Sequence, residues 1–128
     1  MALVYLLDTN IFLEILLKQE KSDICKTFIT SHSDQIFISD FSLHSIGIIL
    51  FRHKSHDIFN DFIRDMISKI RILNLPSSEY GKLFHSSTKY KLDFDDFYQY
   101  IIAKQYDLQI VTMDSDFKKI KDIKINFL

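Results

Sequence analysis

The chain has 128 residues, of which 47% are hydrophobic, enough apolar material for one core and one domain over residues 1–128. Its net charge of -1 comes from 16 basic and 17 acidic residues, which excludes binding of nucleic acid through bulk positive charge alone. The single cysteine, Cys25, excludes a disulfide framework or a cysteine zinc site within the chain and suits a reducing compartment.

The apolar N-terminal stretch, residues 1–17, has the wrong pattern for a signal peptide. Asp8 and Glu14 interrupt it, and it lacks both a basic start and a small-residue cleavage site. No uninterrupted apolar run reaches transmembrane length. We therefore expect a cytoplasmic protein that does not enter the membrane.

Short apolar runs predict strands, and helical spacing behind a capping residue predicts helices. In the first half of the chain these patterns predict a strand at Leu3–Leu7, helices over Ile11–Lys18 and Ser22–Thr30, a strand at Ile36–Ile38, and a helix from Ser39 or Asp40 to Phe51. In the second half they predict a helix from Ser55 through Ile67, a strand at Ile70–Leu75, helices over Ser77–Tyr90 and from about Asp95, a strand at Gln109–Thr112, a short helix after Asp114, and a strand at Ile123–Phe127.

Strands that alternate with helices predict an α/β fold with a mostly parallel central sheet and helices on both faces. We expect the first strand to lie near the centre of the sheet. Gly47 and Gly81 are the only glycines, so neither of the glycine-rich phosphate-binding fingerprints is present. This weighs against a nucleotide-binding domain.

Aspartates follow the predicted strands where ligands usually bind. Asp8 ends the first strand and Asp114 follows the strand that ends at Thr112, while Asp95 and Asp96 begin a helix. Ligands of open parallel sheets bind beyond the carboxyl ends of the strands. Carboxylates that converge there repel one another, and a hard divalent cation such as Mg²⁺ or Mn²⁺ relieves that repulsion.

Each aspartate also has a purely structural explanation. Asp95 is explained as the N-cap of its helix, and Asp116 as an acidic residue that favours the start of the short helix. Asp8 is harder to explain in this way, because a charge at the end of an apolar strand is costly unless it is solvated or paired.

Three segments of the chain resemble the PIN-domain family, and in particular its small single-domain, toxin-like members. The segments are LDTNIF at 7–12, FISDFSLHSIGIIL at 37–50 and DFYQYIIAKQYDLQIVTMDSDF at 96–117. The resemblance spans nearly the whole chain, in the element order derived above. It implies a three-layer α/β sandwich.

The resemblance also implies a site and an activity. Asp8, Asp96 and Asp114 would be catalytic, metal-binding carboxylates, with Asp116 a further metal ligand, Asp93 a supporting acid, and Asn10 and Thr112 the groups that orient them. The activity would be hydrolysis of RNA phosphodiesters assisted by Mg²⁺ or Mn²⁺. Such a protein would form a homodimer and serve as the toxin of a toxin–antitoxin pair, inhibited by an antitoxin-type partner.

One departure from the family pattern affects the expected activity. The middle segment usually presents a glutamate, and His44 is the residue that looks matched to it, which removes a negative charge from the site. The alternative is therefore a degenerate PIN-like module that binds RNA or a protein partner without cleaving. A phospho-acceptor signalling domain ranks third, because it would need paired acids after the first strand and only Asp8 is there.

The aromatic fraction of 14% is mostly explained by core packing. Phe94, Phe97 and Tyr98 are different because they flank the acidic residues, where one of them could reach the cleft. The lysines near the C-terminus are interpreted first as a solvated tail and second as a phosphate-contacting rim; they are Lys118, Lys119, Lys121 and Lys124.

Overall fold

The computed structural model of the chain describes residues 4–128, apart from the side chains at positions 84 and 86–88. Five strands form one sheet in the order β3-β2-β1-β4-β5, and all four strand pairings are parallel. The strands are β1 (Tyr5–Leu7), β2 (Ile36–Ser39), β3 (Arg71–Leu73), β4 (Gln109–Thr112) and β5 (Ile125–Phe127). The predicted parallel sheet and the central position of β1 are confirmed, while Leu3 lies outside the described residues.

Among the described residues, six α-helices connect the strands. They are α1 (Thr9–Leu16), α2 (Ser22–Ser31), α3 (Asp40–Arg52), α4 (His56–Asp65), α5 (Gly81–Lys89) and α6 (Phe94–Tyr106). Short 3-10 turns cover Ser33–Gln35, Ile67–Lys69, Ser77–Glu79 and Ser115–Lys119. In the part of the chain described here, no helix is both long enough and apolar enough to cross a membrane.

The central strand divides the core into two layers. Tyr5 and Leu7 point into one hydrophobic cluster, and Leu6 points into the other. The first cluster is completed by α1, α3 and α4 through Phe12, Ile46 and Phe62. The second is completed by α5, α6 and the last 3-10 turn through Leu83, Ile102 and Phe117. Burial on both faces explains the continuous apolar run and confirms the three-layer architecture.

Several element ends differ from the predicted ones. β3 is shorter than predicted because it is an edge strand, where Arg71 and Ile72 stay exposed. The helix predicted over 77–90 is split into a 3-10 turn and α5 next to Gly81, a weak helix former. The N-cap of α1 is Asp8, so the helix begins two residues before the predicted Ile11.

Candidate metal centre

The two innermost strands end side by side at the candidate site. β1 and β4 pair in parallel, with Leu7 opposite Val111, and the Asp8 backbone N–H donates to the Val111 carbonyl at 2.9 Å. Asp8 and Asp114 therefore leave the same edge of the sheet. Each of them is the N-cap of the helix or 3-10 turn that follows, and its carboxylate accepts a hydrogen bond from a backbone N–H of that element.

Asp8 is only 8% exposed, and three hydrogen-bond donors contact its carboxylate. The Thr9 backbone N–H donates to its Oδ1 at 2.8 Å, and the Thr112 hydroxyl donates to its Oδ2 at 2.7 Å. Gln99 Nε2 makes a longer contact to Oδ1 at 3.4 Å. Burial raises the pKa of Asp8, and these hydrogen bonds offset part of the increase by stabilising the carboxylate.

Thr112 joins the two strand ends. Its hydroxyl donates to Asp8 and accepts from the Asp114 backbone N–H at 3.0 Å. A second hydrogen bond joins the same segments, because the Asn10 side-chain oxygen accepts from the Met113 backbone N–H at 3.4 Å. Thr112 and Asn10 thus fix the path of the backbone that carries the acidic residues.

Three carboxylates come together where α6 begins and the last 3-10 turn starts. Asp96, Asp114 and Asp116 each place an oxygen within 4.8 Å of the others, and these oxygens could hold a metal ion. Asp114 Oδ1 also accepts from the Asp116 backbone N–H at 2.9 Å, which sets the spacing of that pair. Asp8 lines the same cleft but is not a member of this group.

The electrostatics of the cluster favour binding of a cation. Burial, followed by the negative charges of Asp95, Asp8, Asp114 and Asp116, raises the pKa of Asp96 to about 7. A carboxyl group that is 6% exposed and surrounded by other acids is expensive to ionise. A bound divalent cation would reverse that balance by favouring the charged form.

The remaining predicted acid lies outside the cleft. Asp93 is the N-cap residue of α6, is exposed, and makes no capping hydrogen bond through its side chain. Asp95, which the sequence explained as a cap, lines the cleft beside Asp96.

The residue that α3 presents to the cleft is Ser45, so the match to His44 is corrected. Ser45 lines the cleft together with Phe41 and Ile49, one helical turn to either side. His44 is exposed and lines a separate apolar groove with Leu43, Gly47 and Ile48. Neighbouring helical residues differ by about 100° in direction, so an alignment error of one residue turns the side chain away from the site.

Two polar residues of the site, Gln99 and Ser42, were missed by the sequence analysis. Gln99 is 2% exposed and lines the cleft, and its Nε2 donates to Ser42 Oγ at 2.6 Å. Thr9 Oγ1 donates to the same hydroxyl oxygen at 2.8 Å. One sequence signal could have identified Gln99. It lies three residues after Asp96 and so on the same helical face, and it is a polar residue within the apolar segment of α6.

The fold and the carboxylate cluster thus define an α/β protein with a candidate metal centre at the carboxyl edge of its sheet. The family model described as PIN domain matches residues 5–123. The chain belongs to the PIN-domain family. No curated protein matches it closely enough to add a nearer relative.

Solved structures share the fold at low sequence identity. FitAcB from Neisseria gonorrhoeae has a TM-score of 0.75 and 18% identity, with 96% of each chain covered. VapBC2 from Rickettsia felis, bound to a promoter DNA fragment, has a TM-score of 0.75 and 19% identity, with 96% of this chain and 97% of that chain covered. Mycobacterium tuberculosis VapC20, described as a sarcin–ricin loop cleaving toxin, has a TM-score of 0.75 and 12% identity, with 89% and 92% covered.

Proposed function

We propose that this protein is a divalent-metal-dependent endoribonuclease that hydrolyses RNA phosphodiesters in the cytoplasm as the toxin of a toxin–antitoxin pair. The observation that carries the proposal is the convergence of Asp96, Asp114 and Asp116 at the carboxyl edge of a parallel sheet. Membership of the PIN-domain family supports it, as does a fold neighbour described as a sarcin–ricin loop cleaving toxin.

The side chains at the site fit Mg²⁺ or Mn²⁺. All three candidate ligands are carboxylates, the hard oxygen donors that these ions prefer. Asp96, Asp114 and Asp116 would hold the ion, with Asp8 beside them on the same cleft. A bound cation would supply Lewis acidity, neutralising charge on the phosphodiester and lowering the pKa of water.

The rest of the site would position these groups. Thr112 donates to Asp8 and accepts from the backbone of Asp114, so one hydroxyl aligns two carboxylates. Asn10 accepts from the backbone between Thr112 and Asp114. We assign Asp93, which is exposed at the N-cap of α6, the role of a supporting acid.

A protein partner is part of the proposal. An apolar groove on α3 and α4 is lined by Leu43, His44, Gly47, Ile48, Phe51 and Phe59. Ile48 and Phe51 are about half exposed, which is unusual for large apolar side chains that lie side by side. An antitoxin-type partner, or a second copy of the chain in a homodimer, would cover such a surface.

The second candidate function is a degenerate PIN module that binds RNA or a protein without cleaving. The observation that favours it is the α3 side of the cleft, where Phe41, Ser45 and Ile49 contribute no carboxylate. A metal held from one side only would bind more weakly than one enclosed by acids.

Cleavage of a mixed set of single-stranded and structured RNAs would separate the two functions. The enzyme should cleave with Mn²⁺ or Mg²⁺, stop with EDTA, and lose activity in Asp114→Asn. Asp61→Asn is the matched control, because it removes an exposed carboxylate from α4. RNA binding without cleavage by the natural chain would favour the degenerate module, and cleavage that persists in EDTA would refute the metal mechanism.

A further inference from the structure

Four aromatic rings form a continuous shelf beside the acidic cleft. The ring centroids are 5.8 Å apart for Phe41 and Tyr98, 6.3 Å for Phe94 and Tyr98, and 6.2 Å for Tyr80 and Tyr98. Phe94 and Tyr98 are inclined by only 26°, so the outer ring is stacked on the inner one. Phe94 is nevertheless 57% exposed.

The inner ring of this aromatic shelf is fixed in place. Tyr98 is 3% exposed, donates through its hydroxyl to Asp40 Oδ1 at 2.7 Å, and accepts from the Leu75 backbone N–H at 3.1 Å. Phe41 packs against both Phe94 and Tyr98. Phe94 therefore presents its ring on a rigid support, so little conformational entropy is lost when a ligand stacks on it.

The aromatic shelf and the carboxylate cluster are parts of one surface. Phe41 lines the same cleft as Asp95 and Asp96. Phe94 does not line the cleft itself, but its ring centroid lies 6.3 Å from that of Phe41, so the shelf adjoins the cleft through Phe41. Asp93 and Asp95 flank Phe94 in the chain and disfavour a phosphate at that point, but they do not repel the uncharged face of a base.

We propose that Phe94, supported by Phe41 and Tyr98, stacks an unpaired base of the RNA beside the bond that is cleaved. This inference rests on the proposed function for the position of the cleaved bond. Bases that are splayed out of single strands and loops stack on aromatic side chains, whereas paired bases in an A-form helix are not available for stacking. One exposed ring is also too small for a stable protein interface, which buries about 800 Å² on each partner.

Binding of short RNAs that carry 2-aminopurine tests the proposal, in both single-stranded and duplex form, with Ca²⁺ in place of Mn²⁺ so that the RNA is not cleaved during the measurement. Phe94→Ala should weaken binding of the single strand by about 5- to 150-fold, the loss of one stacked base, and should abolish the fluorescence quenching that stacking causes. Phe94→Trp should retain both the affinity for the single strand and the fluorescence quenching. Tyr106→Ala, which removes a partly exposed ring from the opposite end of α6, is the control and should bind like the wild type.

The outcomes distinguish this inference from the proposed function. Single-strand binding that is unchanged in Phe94→Ala would overturn the stacking role alone, as would an equal loss for duplex and single strand. A loss of binding to a partner protein, with RNA binding intact, would reassign the shelf to a protein interface and overturn the role as well. If the natural chain binds Mn²⁺ but no RNA, both proposals fail.

Discussion

At the scale of single residues, the charge of the cleft depends on which α3 side chain faces it. Ser45 faces the carboxylates and His44 does not. A carboxylate added at position 45 would therefore join the acidic group, whereas one added at position 44 would remain outside the cleft.

Ser45→Glu should increase the affinity for Mn²⁺ by about tenfold or more, because an added anionic ligand strengthens the attraction for a divalent cation. His44→Glu adds the same side chain one residue away and should leave the affinity close to the wild-type value. Titration with Mn²⁺ followed by electron paramagnetic resonance measures both variants. Equal gains for the two would contradict the assignment of Ser45 to the cleft.

The raised pKa of Asp96 has a consequence for stability. Between its ordinary value of 3.8 and its folded value of about 7, the folded chain holds a proton that the unfolded chain has lost. The free energy of unfolding of the metal-free protein should therefore fall as the pH rises through this window.

Asp96→Asn removes the ionisation, so its gain in melting temperature over the wild type should grow between pH 5 and pH 8. Thermal unfolding in EDTA, followed by circular dichroism, measures the difference at each pH. Asp61→Asn, an exposed control, should show no such increase. A difference for Asp96→Asn that stays constant or shrinks with pH would show that burial does not raise this pKa.

The site was only partly predictable residue by residue. Asp8 and Asp114 follow apolar strands, so their position at one sheet edge could be derived from the chain order alone. Asp96 was identified through the resemblance, because an acid at a helix start is usually a cap. Ser45 could not be distinguished from His44, because the phase of a helix with apolar residues on several faces is not fixed by its sequence pattern.

At the scale of secondary structure, the cap of α3 connects local sequence to the site. Ser39 Oγ accepts from the Ser42 backbone N–H at 3.0 Å, and Ser39 is fully buried. This cap orients the helix that carries Phe41 and Ser45 into the cleft. Ser55 occupies the same position before α4 but makes no capping hydrogen bond.

Ser39→Ala should lower the free energy of unfolding by about 1 kcal/mol, since a helix donor loses its side-chain acceptor. Ser55→Ala is the matched control and should cost less than about 0.5 kcal/mol, since the Ser55 hydroxyl makes only a long hydrogen bond, at 3.3 Å, to the His53 carbonyl. Urea denaturation of the two variants gives both values. A cost at position 55 as large as that at position 39 would contradict the difference in capping.

The existence and order of the elements were easier to predict than their ends. The sheet is buried on both faces, so its inner strands had to be continuous apolar runs. Edge strands lack that constraint, which is why β3 and β5 are shorter than predicted. The split before α5 falls at Gly81, and a single weak helix former does not by itself mark a helix boundary.

At the scale of the whole molecule, the parallel sheet concentrates negative charge at one edge of a chain whose net charge is only -1. Asp8 and Asp114 are far apart in sequence, and the pairing of β1 with β4 brings them to one cleft, which Asp96 joins from the first turn of α6. A divalent cation at this edge would offset a repulsion that the fold itself creates.

The most direct test of this account is calorimetric titration of the purified protein with Mn²⁺ at pH 8, where Asp96 is ionised. The wild type and Asp61→Asn should bind Mn²⁺ equally well, and Asp114→Asn should lose at least tenfold in affinity. Equal binding by all three proteins, or no binding by any of them, would show that these carboxylates do not form a metal centre.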